Sequence, residues 1–156
     1  MRLFYYLFIT FILISCSNNV ELIFDEDNGG LFLPTGFQSL VVHEGVGQSR
    51  HIAVNENGDI YVKLRLDYGR KGNVALRDKN GDGKADIIQR FGDYPNDGRF
   101  ATEMKINEGY LYYSSERIVY RQKLNPKKLI PDSPVEVILT DPFPIRWHNA
   151  KSIAFD

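Results

Sequence analysis

Cysteine is all but missing from this chain. Cys16 is the only one, so no disulfide can close within it. An excess of one charge is missing too. Nineteen basic residues stand against 20 acidic ones, for a formal net charge of −1. That balance excludes the basic stripe by which a protein holds nucleic acid, and Lys127-Lys128 reads as a solvated turn. Long apolar runs are scarce. The run from Leu3 to Ile14 falls short of the ~20 residues a membrane-spanning helix needs. Helical periodicity is scarce beyond it.

That apolar run follows Arg2 and ends in Leu13-Ile14-Ser15-Cys16. The arrangement resembles an export signal closed by a bacterial lipobox, in which Cys16 becomes the lipidated first residue of the mature chain. It implies a protein held at the bacterial cell envelope by lipid alone, on the periplasmic or outer-membrane side, with the remainder soluble and tethered. An ordinary signal peptide with an incidental cysteine is the plainer alternative. Residues 17–32 are polar and acidic and read as a flexible tether. A folded domain is expected over 33–156.

Aromatic residues are plentiful at 13%, mostly Tyr and Phe, a composition that suits sheets. They fall in a pattern that repeats. Arg50 to Val62 is an alternating run, a turn and a second alternating run, and Thr102 to Tyr113 repeats that layout. Lys151 to Asp156 opens it again. Val54, Ile106 and Phe155 are equivalent positions, spaced by 52 and 49 residues. A period of roughly 50 residues built from short strands is the mark of a propeller blade. Strands are expected at about 50–55, 59–66, 73–78 and 86–91, then at about 101–106, 109–114, 117–124 and 134–139. The expected fold is all-β: two four-stranded blades of a partial propeller, the start of a third near Ala150, and a clasp strand at 37–43. Two blades and a strand do not close a ring, so the chain reads as the front of a larger protein. Tyr61, Tyr112 and Tyr113 recur at blade positions and are expected in the core.

One short motif carries chemistry by itself. In Asp78-Lys79-Asn80-Gly81-Asp82-Gly83-Lys84-Ala85-Asp86, oxygen-bearing side chains fall at the first, third, fifth and ninth positions with Gly at the sixth. A calcium loop presents its ligands in this order, because calcium takes six or more hard oxygens. Asp78, Asn80, Asp82 and Asp86 are therefore candidate ligands. Gln89 stands where an EF-hand places a bidentate Glu, and strands rather than helices flank the loop. A solvated Asp/Gly turn that needs no metal is the alternative.

Several segments, in order, carry a resemblance. They are Leu33-Pro34-Thr35-Gly36-Phe37, Arg50-His51-Ile52-Ala53-Val54, Asn57-Gly58-Asp59-Ile60-Tyr61-Val62, Val74-Ala75-Leu76-Arg77-Asp78, the Asn80 to Asp86 run, and His148-Asn149-Ala150-Lys151-Ser152-Ile153-Ala154-Phe155. Over about residues 33 to 156 the chain resembles the N-terminal part of sorbosone dehydrogenase-like proteins, akin to soluble quinoprotein sugar and pyranose dehydrogenases. The resemblance implies a six-bladed propeller that holds pyrroloquinoline quinone (PQQ), braced by calcium, at one mouth of its channel. It implies a sugar or aldose substrate and an onward electron acceptor that it does not name.

By the resemblance, a His just before an inner strand takes the proton of a sugar hydroxyl, and His148 holds that place. Imidazole titrates near neutral pH and suits this work. Trp147 stands where glucose-type enzymes have an acidic neighbour. Arg50 begins the equivalent strand of the first repeat and is a candidate for the quinone's carboxylates, with Lys151 its counterpart in the third. His43 and His51 are expected to be structural. Without the resemblance, His148 is a loop histidine beside an aromatic, and the chain fits equally a non-enzymatic propeller lipoprotein that binds a glycan or a protein, or a truncated product without function.

Overall fold

A computed structural model of the chain describes residues 22–65, 71–92, 103–140 and 152–156. Eight strands form two antiparallel four-stranded sheets, each a simple meander. The first sheet contains β1 (Ser49–Val54), β2 (Ile60–Leu64), β3 (Asn73–Arg77) and β4 (Ile87–Phe91), and the second β5 (Met104–Asn107), β6 (Tyr110–Ser114), β7 (Ile118–Lys123) and β8 (Glu136–Thr140). No α-helix occurs among the described residues. The eight strands expected for the two blades are all present, and the largest shift at a strand start is at β5, which begins at Met104.

Local chemistry sets the hairpins. Between β1 and β2, Gly58 adopts φ +87°, and the turn closes through Asn55 N–H to the Asp59 carbonyl at 2.8 Å. Between β5 and β6, Glu108 and Gly109 both take positive φ, +47° and +75°. This is the primed turn that matches the right-handed twist of paired strands. Within each strand, alternate residues face opposite sides. One side of the first sheet lies on the second sheet, and there Tyr61, Ala75 and Phe91 meet Met104, Leu111, Tyr113 and Tyr120 in one buried cluster. Each such large side chain contributes about 1.5–3 kcal/mol on burial. The other side of the first sheet carries a second cluster, Val62, Leu64, Val74 and Leu76. Val54 lies on this outer side and Ile106 on the inward side of the second sheet, so the equivalent positions face the same way around the stack.

Three expectations are corrected. The clasp strand at 37–43 forms no ladder. Its backbone groups are taken up elsewhere: Val41 N–H donates to Asp25 Oδ2 at 2.6 Å, Ser39 N–H to Asn28 Oδ1 at 3.2 Å, and the Val42 carbonyl accepts from Ala85 N–H at 2.9 Å. The expected tether is not free from Leu22 onward. It makes a 3-10 turn at Asn28–Gly30 and, with residues up to 48, straps the outer side of the first sheet, tied by Lys84 to Asp25 and Arg90 to the Val46 carbonyl. Finally, residues 152–156 are not in a strand. Side chains of the second sheet hold them instead. Tyr61 and Tyr113 are buried as expected, whereas Tyr112 is half-buried and packs its ring on Phe155 at 4.7 Å.

Candidate functional site

β1 and β5, the first strands of the two sheets, lie side by side. In a stack of blades these first strands are the innermost and border the central axis. At their leading end His51 Nδ1 meets Glu103 Oε1 at 3.1 Å. The carboxylate is buried, with 4% of its side chain exposed, whereas 41% of the His51 side chain is open. Glu103 is held on every side. Oε1 accepts from Met104 N–H at 3.0 Å, Oε2 accepts from Ile153 N–H at 3.2 Å, and the Glu103 N–H donates to Ser114 Oγ at 3.2 Å. Lys105 Nζ donates to the Ile153 carbonyl at 2.5 Å. Two side chains beside one strand thus take both backbone groups of Ile153, where a partner strand would otherwise pair.

Lys63 is the cross-strand partner of His51. It is fully buried, with its ammonium donating to the Gly72 carbonyl at 3.2 Å and lying 6.0 Å from the centre of the Tyr113 ring. The ladder slips between Ser49 and His51, so Arg50 is the extra residue of a β-bulge. Bulges bend a strand and re-aim the side chains around them. Arg50 is exposed.

The acidic loop is closed by its own hydrogen bonds. Asp78 Oδ1 accepts from the N–H groups of Asn80 at 3.0 Å and Gly81 at 2.7 Å, and Oδ2 accepts from Gly83 at 2.8 Å. Asp82 Oδ1 accepts from Lys84 N–H at 2.7 Å and Oδ2 from the Asn80 side-chain amide at 3.0 Å. Asp86 Oδ2 accepts from Lys79 N–H at 2.7 Å. For Asp78, desolvation works against the charge, but the amides of Gly83, Gly81 and Asn80 together outweigh it and hold the carboxyl below its ordinary value. Among the described residues no three His, Cys, Asp or Glu side chains converge as a metal needs. Asp78, Asn80, Asp82 and Asp86 thus each turn a side-chain oxygen onto an amide of the loop.

Of the other expected site residues, Arg50 stands on the bulge beside His51. His148, Lys151 and Cys16 lie outside the described residues, as does Trp147. The pairing of His51 with Glu103 was not expected from sequence. One signal could have found it. The two residues are 52 apart, the same offset that separates Val54 from Ile106.

No family model matches the chain, and no curated protein matches it. Among solved structures it is similar to the holo form of the pyranose dehydrogenase PQQ domain from Coprinopsis cinerea, with a TM-score of 0.53 and 15% identity. The match covers 67% of this chain but only 24% of that one. At this identity the likeness is one of fold. Two face-packed four-stranded meanders are what adjacent blades of a β-propeller would be.

Proposed function

We propose that this chain supplies the first blades of an exported quinoprotein oxidoreductase that oxidises a sugar or aldose with PQQ. The observation that carries this reading is the shared fold. The chain is similar in fold to the PQQ domain of a pyranose dehydrogenase, and the resemblance of residues 33 to 156 to sorbosone dehydrogenase-like proteins points the same way. Six blades and attachment through a lipidated Cys16 belong to the proposal.

When bound, PQQ would supply a hydride acceptor. Among the described residues Arg50 fits it best, since an exposed guanidinium on a bulge at the leading end of an innermost strand can take a quinone carboxylate with two hydrogen bonds. Lys151 would add a second cation. His148, just ahead of the third repeat, would take the hydroxyl proton of the substrate. Calcium at the Asp78–Asp86 loop has no part in this reading.

The test is titration of the full chain with PQQ, followed by the absorbance of the quinone. Binding is expected, and Arg50→Ala is expected to weaken it by about tenfold, the loss of one charge-assisted pair. Absence of quinone binding would favour a propeller that binds a glycan or a partner without redox chemistry.

A further inference from the structure

A cavity of about 390 Å³ lies between the β1–β2 and β5–β6 turns, at the end of β1 and β5 away from Arg50. Its walls repeat. Val54, Asn55 and Glu56 line one side, and Ile106, Asn107 and Glu108 the other. The two triplets stand 52 residues apart, the spacing of the blades. The turns do not need these polar side chains. Gly58 and Gly109 supply positive φ, and it is Asn57 that accepts the Asp59 N–H and donates to its carboxylate. The side-chain amides of Asn55 and Asn107 are half-buried and make no hydrogen bond among the described residues. Glu108 holds φ +47°, a left-handed conformation that Gly or Asn takes more readily than a residue with a long side chain. Turn chemistry alone does not select a glutamate there.

The lining carries one sign of charge. Two carboxylates and no Lys, Arg or His border the cavity, and neither glutamate has an ion-pair partner among the described residues. Such a lining repels anions and draws in a cation. A bare metal ion suits it poorly. Among the described residues no three His, Cys, Asp or Glu side chains converge, and the volume is that of a pocket for a small organic molecule. An ammonium group has three N–H donors and no acceptor. The glutamate carboxylates and asparagine carbonyls offer it acceptors from both turns. Val54, 60% exposed, gives the carbon body an apolar wall.

We propose that this cavity, walled by the repeated Asn55-Glu56 and Asn107-Glu108 pairs, is a binding site for a small organic cation, a molecule that presents a primary ammonium. The site stands apart from the quinoprotein reading. It lies at the opposite end of the innermost strands from Arg50 and needs no quinone.

The experiment is NMR of the full chain labelled with ¹⁵N at asparagine, at about pH 6, where amines are protonated and glutamates ionised. Asn55→Ser and Asn107→Ser identify the two side-chain amide signals by their loss. Addition of D-glucosamine or 1,4-diaminobutane is expected to move both signals and to leave that of Asn57, which Asp59 holds, in place. N-acetyl-D-glucosamine has the same sugar body without the charge and is expected to move neither. Glu56→Gln and Glu108→Gln change exposed side chains and are each expected to weaken the response by about tenfold. Glu108→Gly relieves the backbone, so it is expected to raise the melting temperature while it weakens binding in the same way. A response that Glu108→Gly leaves at full strength would show that the glutamate serves the turn alone, and would overturn the proposal. So would signals that neither amine moves, equal responses to the charged and the acetylated sugar, or a response to calcium chloride in place of the amines, which would mark a metal site.

Discussion

Arg77 grips Asp59 with both ends of its guanidinium, Nε to Oδ1 and Nη2 to Oδ2, each at 2.6 Å. Asp59 follows the turn into β2 and Arg77 ends β3, so the pair locks the far end of the first sheet. The Asp59 side chain is only 2% exposed, and Asn57 Nδ2 donates to it as well. The hydrogen bond to Asp59 is the main reason the Arg77 guanidinium is held still more firmly in its charged form. Arg77→Ala leaves a buried carboxylate with its principal partner gone. A loss of about 3 kcal/mol is expected, at the low end of the range for breaking a buried pair because Arg77 itself is partly open. Urea unfolding of the two chains measures it, and a loss below about 1 kcal/mol would mean that water replaces the guanidinium.

Tyr61 joins the two sheets: its hydroxyl donates to the Leu129 carbonyl at 3.0 Å. Burial, then the nearby Asp59 charge, pushes the phenol up to about 12 from the ordinary 10.0. The folded state therefore keeps a proton that the unfolded chain releases. The stabilisation is fully present below pH 10.0 and is lost as pH rises toward about 12. At about 1.4 kcal/mol per unit, the span is about 2–3 kcal/mol. Denaturation midpoints measured through this window should fall in the wild type and fall less in Tyr61→Phe. Equal slopes would remove Tyr61 as the cause.

Gly83 is the point where the strap meets the acidic loop. Its φ is +91°, and a Cβ there would lie 2.7 Å from Leu40 Cδ2 and 3.0 Å from Leu22 Cδ2. Gly83→Ala combines an unfavourable backbone with a displaced strap, so a loss of about 1–3 kcal/mol is expected. Because Leu22 and Leu40 belong to the strap, cleavage by a dilute protease should begin between residues 22 and 48 in the variant. Cleavage that stays where it is in the wild type would show that the strap accommodates the methyl.

Much of this fold was legible in the sequence, because alternation reports a half-buried strand directly. Ile60 to Leu64 and Tyr110 to Ser114 both sit within two residues of expectation. The repeat was legible because Val54 and Ile106 fill the same place in successive blades. The segment 37–43 was misread for a physical reason. Phe37, Val41 and Val42 have strand propensity, but propensity does not say where backbone groups find partners, and Asp25, Asn28 and Ala85 provide them. The calcium-like loop was legible as a turn. Its spacing did not reveal whether the oxygens face outward to an ion or inward to amides. The His51–Glu103 pair was hidden for another reason. Each residue looks like an ordinary strand residue until adjacent blades are stacked.

The loop makes its own prediction about metal. Its oxygens already accept from the amides of Lys79, Asn80, Gly81, Gly83 and Lys84, so removal of divalent ions with a chelator should leave the melting temperature unchanged. A rise in melting temperature on adding calcium would show instead that the carboxylates turn outward to take the ion.

Acid should open the same region first. Asp25 is held below its ordinary value of 3.8, chiefly by the Val41 amide and then by Lys84, and the loop amides do the same for Asp78. A carboxyl depressed on folding adds stability that is fully present above its unfolded value and lost as pH falls through the lower folded value. Between neutral pH and about pH 5 the strap should therefore keep its protection. Below 3.8 the carboxylates take up protons, and the amide of Val41 and the Lys84 ammonium lose a charged partner. Hydrogen exchange followed by mass spectrometry reads this directly. Peptides covering 22–48 should lose protection in acid before those covering β6 and β7, whose buried tyrosines and Leu111 do not titrate there. Asp25→Asn should give the neutral-pH protein an exchange pattern in the strap close to that of the acid form, since the amide keeps the shape and drops the charge. Simultaneous opening of strap and core would show that Asp25 is not what fastens the strap.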